Sequence, residues 1–382
     1  MVITPINGID DTDGTGDASH PLIPHLGDPV ALTRALCDIP SESGQEGALA
    51  DAVFETLEHL SARGPGLQIH RDGDAVVART QLGRAERVVI AGHLDTVPIQ
   101  GNVPARWESD AAGEQILVAR GACDMKAGVA MQLSVLHRVP EPSRDVTLVF
   151  YDHEEVAAEL NGLRRLAERQ PDLLQGDFAV LGEPTSAGIE GGCNGTMRVE
   201  VRTTGVRAHS ARAWKGVNAI HAAAPVLQRL AEFEAPAVEV DGLVFQESLS
   251  AVGIRGGVAG NVIPDECVVT VNYRFAPHWD ASRAETFLRE FFAGWEVTVT
   301  DAAEGARPGL DVPAAADFVR AIGGTPAAKV GWTDVARFSA LGIPAVNFGP
   351  GDPLFAHKED EHVRPGEIHR AVEALCSWLE DA

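Results

Sequence analysis

The sequence predicts an α/β fold: a discontinuous main domain with a mostly parallel central sheet flanked by helices, interrupted by a smaller two-layer α+β insert. Three observations carry this expectation. Short apolar runs alternate with segments of helical period through the first half of the chain. Near Gly192 the pattern changes to strands with alternating faces, and near Gly331 the first style returns. The 382 residues also exceed the roughly 100–200 that one core usually takes.

Residues 1–27 are rich in Gly, Asp, Thr and Pro without any period, and read as a loosely held, flexible extension. From Pro29 onward, Val30, Leu32 and Leu36, then Leu49, Val53, Leu57 and Leu60, recur at helical spacing and predict two helices flanking the loop 40–47. The runs 88–91, 146–151 and 178–181 predict strands, and 127–138 and 156–169 predict helices. Past Gly192, 196–203 and 267–275 read as strands, with 217–233 and 282–293 as helices. The segment 331–341 resembles a helix, 345–348 a buried strand, and 365–379 a closing helix with proline near its start. No internal repeat is visible.

Composition narrows the function. Hydrophobic residues at 45% and charged ones at 23% fit a soluble globular protein and exclude wholesale disorder. A formal charge of −24 repels phosphate backbones and anionic headgroups, so neither nucleic acid nor membrane is an expected partner. No run approaches the roughly 18 apolar residues of a spanning helix. Asp10, Asp11, Asp13 and Asp17 occupy the region where a signal peptide is basic and then apolar, which predicts a cytoplasmic protein. Cys37, Cys123, Cys193, Cys267 and Cys376 are widely spread without a CxxC pair and read as reduced thiols.

The chemistry concentrates just past strand ends. The run 88–91 leads into Gly92-His93-Leu94-Asp95, 148–151 into Asp152-His153-Glu154-Glu155, and 179–181 into Gly182-Glu183-Pro184. In an open parallel sheet the ligand crevice lies outside the carboxyl ends of the strands, so these groups should converge. His93 and Asp95 are two apart and face the same way in extended chain, which lets the carboxylate orient a metal-binding imidazole. The same pair also fits an ordinary loop. Glu154-Glu155 fits either helix-end charge or a division between metal ligand and general base. Asp124 fits either a helix N-cap or a carboxylate bridging two ions.

These residues sit in motifs that resemble a known family. GHLDTVP, RGACDMKAG, DHEE at 152–155, LGEPT at 181–185 and the late His357 occur in the order, and near the spacing, of the aminoacylase, carboxypeptidase and desuccinylase family of dinuclear metallohydrolases. The stretches RAHSARAWKGVNAIH, GGVAGNVIPD, GWTDVARFSALGIPAVNFGPGDP and AHKEDEHV are similar to its desuccinylase branch of the actinobacterial type, and the resemblance covers about 28–380.

The resemblance implies that His93 and Glu183 hold one metal, Glu155 and His357 the other, and that Asp124 bridges them. Asp95 would orient His93, and Glu154 would be the general acid/base. Such nitrogen and oxygen ligands suit Zn2+, two per subunit, with Co2+ or Mn2+ as substitutes. The implied domains are a metal-binding catalytic domain of 28–192 and 303–382 and a lid and dimerisation domain of 193–302. From that lid His209 would reach across a homodimer to the partner's site and stabilise the oxyanion. Asn261 and Arg274 match substrate-contacting positions. His209 also fits an ordinary solvated loop histidine, the lesser reading given the surrounding match, and Arg274 fits an exposed sheet charge equally well.

Two departures stand out. Val156 occupies a position where many members have glycine, and Cys193-Asn194 replaces a basic pair found in desuccinylases of other bacterial groups. The implied reaction is hydrolysis of N-succinyl-LL-2,6-diaminopimelate, a small anionic substrate. Another N-acyl-amino-acid deacylase or dipeptidase, such as an acetylornithine deacetylase, is the alternative within the family. A non-catalytic binding protein on the same fold would have lost a ligand or Glu154, and the sequence retains them all.

Overall fold

Alternate residues of the parallel strands face opposite sides of one sheet, and both sides are apolar. The computed structural model describes residues 20–64 and 66–380. Its main sheet has eight strands in the order Gln68–Asp72, Ala75–Arg79, Asp145–Tyr151, Arg87–His93, Phe178–Leu181, Ala345–Asn347, Glu190–Gly191 and Ala327–Ala328. The four strands from Asp145–Tyr151 to Ala345–Asn347 run parallel, and the Gln68–Arg79 hairpin adds an antiparallel edge.

Val88, Ile90, Leu148, Phe150, Phe178 and Val180 pack on one side against the helices Pro29–Cys37, Gly47–Arg63, Lys126–Arg138, Pro313–Ile322 and Pro365–Glu380. Val89, Ala91, Val149, Tyr151, Ala179 and Leu181 pack on the other against Gly162–Arg169 and Val335–Ala340. Burial on both faces explains why these strands read as unbroken apolar runs. Each large aliphatic or aromatic side chain so buried contributes about 1.5–3 kcal/mol. Because Asp145–Tyr151, Arg87–His93 and Phe178–Leu181 are parallel neighbours, their carboxyl ends open on one edge of the sheet.

Between this sheet's seventh and eighth strands the chain builds a second sheet, antiparallel and four-stranded, ordered Ser248–Gly256, Glu266–Phe275, Gly195–Thr204 and Glu296–Ala303. Met197, Val199 and Val201 alternate with polar residues along the third of these. They pack with Val269, Val271 and Tyr273 against Ala219–Ala222, Ala224–Ala231 and Ala281–Phe291. The opposite face carries Thr196, Arg198, Asn272 and Arg274, a polar surface that bears on the site.

The structure departs from the sequence expectation in several places. The helix expected over 156–169 starts only at Gly162, where the Asn161 side chain accepts from Arg164 N at 2.9 Å. Val156 and Leu160, spaced like one helical face, are exposed instead. The helix expected over 217–233 is two pieces, divided where Pro225 begins a new turn, and that over 331–341 shortens to Val335–Ala340. Of the loose extension, residues 1–19 lie outside the described part. Residues 20–27 are not loose: Leu22 and Leu26 are buried in the core, and His20 Nδ1 caps the turn by accepting from Leu22 N and Ile23 N. Among the described residues no helix is long and apolar enough to cross a membrane.

Candidate metal centre

His93 ends its strand with 1% of its surface exposed. Its Nδ1 lies 2.9 Å from the Asp95 carbonyl, which can only accept, so Nδ1 carries a proton and Nε2 is the nitrogen left to meet a cation. That Nε2 faces Asp124 Oδ1 at 3.1 Å. The other oxygen, Asp124 Oδ2, lies 3.3 Å from His357 Nε2, which also meets Glu155 Oε1 at 3.1 Å. One carboxylate thus has an imidazole on each side. Glu183, two residues past the strand Phe178–Leu181, completes a group with His93 and Asp124, while Asp124, Glu155 and His357 form a second. Within each group one donor atom per residue lies within 4.8 Å of the others, and Glu154 stands with His93 and Glu155 in the same way.

The plainer readings of two residues fail on geometry. Asp124 does not cap the helix Lys126–Arg138, whose N-cap position is Met125 and has no side-chain cap. Glu154 and Glu155 are not first-turn helical charge, since the next helix begins at Gly162. Asp95 differs from its expected part. Its backbone carbonyl is the nearer partner of His93, while its carboxylate is 3.6 Å from Nδ1. The carboxylate instead accepts from Ser43 Oγ at 2.7 Å, Glu154 N at 2.9 Å and Glu155 N at 3.0 Å. Those three donors lie closer than the imidazole and hold the paired glutamates in place.

The cluster carries more negative charge than it can easily hold bare. Burial, and then Asp334, Glu183 and Glu155, push the Glu154 carboxyl well above its usual range against the opposing pull of His93. Burial and Asp124 raise Glu183 to about 7. Burial would lower His93, but Asp124, Glu154 and Asp95 outweigh it and hold the imidazole well above its usual value. Asp124 and Glu155 raise His357 to about 10. Protons are retained wherever carboxylates crowd, and bound cations relieve the same crowding.

Two further residues support the cluster without having been singled out in the sequence. Glu361, 1% exposed, accepts from Cys123 N at 3.2 Å, Asp124 N at 3.1 Å and Arg120 Nη1 at 2.6 Å. Asp334, fully buried, accepts from Asn161 Nδ2 at 3.1 Å and from Arg337 Nε, and its charge acts on Glu154. Glu361 and Asp334 fall inside AHKEDEHV and GWTDVARF, but nothing local marks either as a buried acceptor.

The structure does not bring His209 or Asn261 into this cluster. His209 is exposed, and its Nδ1 accepts from Ala211 N at 3.0 Å. The strand Ala208–His209 pairs with Val262–Ile263, and Ser210 N donates to the Asn261 carbonyl at 2.8 Å. Arg274 is half-buried on the second sheet, with Nε donating to Asn272 Oδ1 at 3.1 Å. A cavity of about 780 Å³ opens from Glu154 along the 156–161 segment to Thr196, Arg198 and Trp332.

A sequence model of Peptidase family M20/M25/M40 matches residues 89–381. A Mycobacterium tuberculosis protein bearing the name succinyl-diaminopimelate desuccinylase DapE is 53% identical over 355 residues, 92% of this chain and 98% of its own. The succinyl-diaminopimelate desuccinylase of Corynebacterium glutamicum is 44% identical over 93% of this chain and 97% of its own. Among solved structures, a Staphylococcus aureus tripeptidase superposes with a TM-score of 0.75 at 20% identity, covering 93% of this chain and 98% of that one. The Bacillus subtilis YXEP protein, described as a dinuclear metal binding peptidase, superposes with 0.65 at 18% identity, covering 92% and 96%.

Proposed function

The chain belongs to peptidase family M20/M25/M40, and from that premise we propose that it is a di-metal amide hydrolase that cleaves N-succinyl-LL-2,6-diaminopimelate to succinate and LL-2,6-diaminopimelate, a step in making diaminopimelate and lysine. The observation that carries the reading is Asp124, one oxygen toward His93 and the other toward His357. The two relatives named for this activity, each matched over more than nine-tenths of both chains, support the choice of substrate.

The donors fit divalent cations. Imidazole nitrogen and carboxylate oxygen suit zinc, with cobalt or manganese as substitutes, and the crowding that raises Glu154 and Glu183 favours added positive charge. His93 and Glu183 would hold one ion, Glu155 and His357 the other, and Asp124 both. When bound, such a pair polarises the amide carbonyl and acidifies an attacking water.

The protein's own groups do the rest. A Glu154 carboxylate oxygen takes the water's proton and passes it to the leaving amine nitrogen. Burial and neighbouring carboxylates raise this carboxyl, which suits a group that must hold a proton between two transfers. Asp95 fixes the Glu154 backbone, and the Asp95 carbonyl fixes the His93 tautomer.

His209 acts from a second copy of the chain and stabilises the oxyanion. In favour of a homodimer, the edge strand Ser248–Gly256 has all but one residue exposed, and Trp214, Val252 and Ile254 are exposed in the same insert. The reaction is placed in the cytoplasm, and five free, buried cysteines agree with a reducing compartment.

The test is a substrate panel with zinc-loaded protein. N-succinyl-LL-diaminopimelate should be turned over far better than acetylornithine or dipeptides, because groups placed for a remote carboxylate are left unpaired when it is missing. Equal or reversed preference would reassign the protein to another N-acyl-amino-acid deacylase or to a dipeptidase.

A further inference from the structure

We propose that Arg198, with Arg274 beside it, forms a guanidinium pair that receives a substrate carboxylate remote from the scissile amide, making Arg198 a specificity-determining residue. The inference rests on the anionic substrate proposed above. Arg198 and Thr196 line the same cavity as Glu154, so one bound molecule reaches both the proton-transfer group and the arginine. On the neighbouring strand Arg274 pairs with Thr196 and Asn272 with Arg198. Asn272 Nδ2 donates to Thr196 Oγ1 at 3.1 Å and Asn272 Oδ1 accepts from Arg274 Nε, which ties the patch into one polar surface.

The cavity lining carries Glu154, Glu159, Asp301 and Glu304 along with Arg164, Arg198 and Arg337, and its arginines differ in how firmly they are engaged. The other two arginines of the cavity are already engaged, Arg164 with Glu168 at 2.7 Å and Arg337 with Asp334. Among the described residues no carboxylate lies within 4.0 Å of the Arg274 guanidinium. Arg198 has only Asp301 at 3.9 Å, with the two side chains 50% and 46% exposed. An exposed pair of that kind is worth at most about 1 kcal/mol and exchanges readily for a better acceptor.

Burial and then the charge of Arg198 both disfavour the charged form of Arg274. Two guanidinium groups set side by side in a protein of charge −24 are relieved by an anion, and planar carboxylates match their fork. Nearby Cys193 and Asn194 are buried and spent on backbone carbonyls, so they add no charge here.

The test compares wild type, Arg198→Met and Arg198→Lys on three substrates: N-succinyl-LL-diaminopimelate, N-butyryl-LL-diaminopimelate without the acyl carboxylate, and Nα-succinyl-L-lysine without the far carboxylate of the amine half. Arg198→Met should lower kcat/KM on the full substrate roughly 10- to 100-fold, mostly through KM, the loss expected for a charged hydrogen bond. It should have no effect on whichever analogue lacks the bound carboxylate, which identifies the carboxylate held. Arg198→Lys should recover only part, since an ammonium keeps the charge without the fork.

A loss within about threefold, or an equal loss on all three substrates, overturns the proposal. If wild type instead prefers a different N-acyl amino acid, the desuccinylase reading falls. The pair is then judged by succinate and LL-diaminopimelate as competitive inhibitors, and inhibition constants for both that are unmoved by Arg198→Met overturn it.

Discussion

Removing Glu361 should damage both the stability of the protein and its hold on metal, and the size follows from its surroundings. Glu361 and Arg120 form an ion pair of 2.6 Å with side chains 1% and 2% exposed. In Glu361→Ala the guanidinium keeps only neutral acceptors, the carbonyls of Pro98 at 3.1 Å and Lys358 at 3.2 Å. Breaking a buried pair from one side costs about 3–5 kcal/mol, because the remaining charge is stranded away from water. The double variant Arg120→Met with Glu361→Leu should recover much of that, since it leaves no charge behind.

The Asp124 N–H also loses its acceptor in Glu361→Ala. The carboxylate between the two imidazoles is then less well placed, and metal affinity should fall roughly 10- to 100-fold. Urea unfolding of metal-stripped protein measures the first effect, and competition with a calibrated chelator measures the second. A stability change under about 1 kcal/mol with unaltered metal affinity would refute this account of Glu361.

Other consequences can be checked with the same protein. Glu154→Gln should keep its metal while losing about 10²–10⁴ in turnover, whereas Glu155→Gln should lose metal; activity of Glu154→Gln within tenfold of wild type would remove Glu154 from proton transfer. Stripping metal with a chelator should abolish turnover, and readdition of zinc should restore it. In stripped protein, His357 is raised from 6.5 to about 10 and Glu183 from 4.5 to about 7. The stability linked to Glu183 is therefore full below pH 4.5 and fades through 7, and that linked to His357 is full below 6.5 and fades through 10. Melting temperature of the stripped protein should thus fall as pH rises across this window, and a flat or rising trend would contradict it. Mixing inactive His209→Ala with inactive Glu154→Gln should restore activity toward half of wild type per heterodimer if the histidine acts in trans; no recovery after verified subunit exchange would assign it elsewhere.

The parallel core was legible because every residue of strands such as Asp145–Tyr151 is buried, which leaves a run that is mostly apolar rather than alternating in the sequence. The strand-end rule likewise led to His93, Glu154, Glu155 and Glu183, which the fold gathers at one edge. Val156 and Leu160 misled because a spacing of four looks helical, whereas the segment they belong to borders the cavity and leaves them exposed. Glu361 gave no signal because its partner Asp124 is 237 residues away, and no local periodicity reports a contact at that range. Asp334 was hidden in the same way, its Asn161 partner lying 173 residues earlier. His209 and Asn261 stand apart from the cluster in the single chain, His209 exposed with its Nδ1 accepting from Ala211 N.

The two donor groups differ in when the ribosome delivers them. His93, Asp124 and Glu183 have all been synthesised before the insert begins, but His357 follows Glu155 by 202 residues. At roughly 5–20 residues per second that interval lasts about 10–40 s. During it the nascent chain has one triad of donors complete and the other lacking its imidazole. Glu361, the acceptor for the Asp124 backbone, is also still to come. The order of synthesis thus makes the first donor group available on the growing chain, whereas the second is complete only with the carboxyl-terminal part, which also supplies the sheet strands Ala327–Ala328 and Ala345–Asn347.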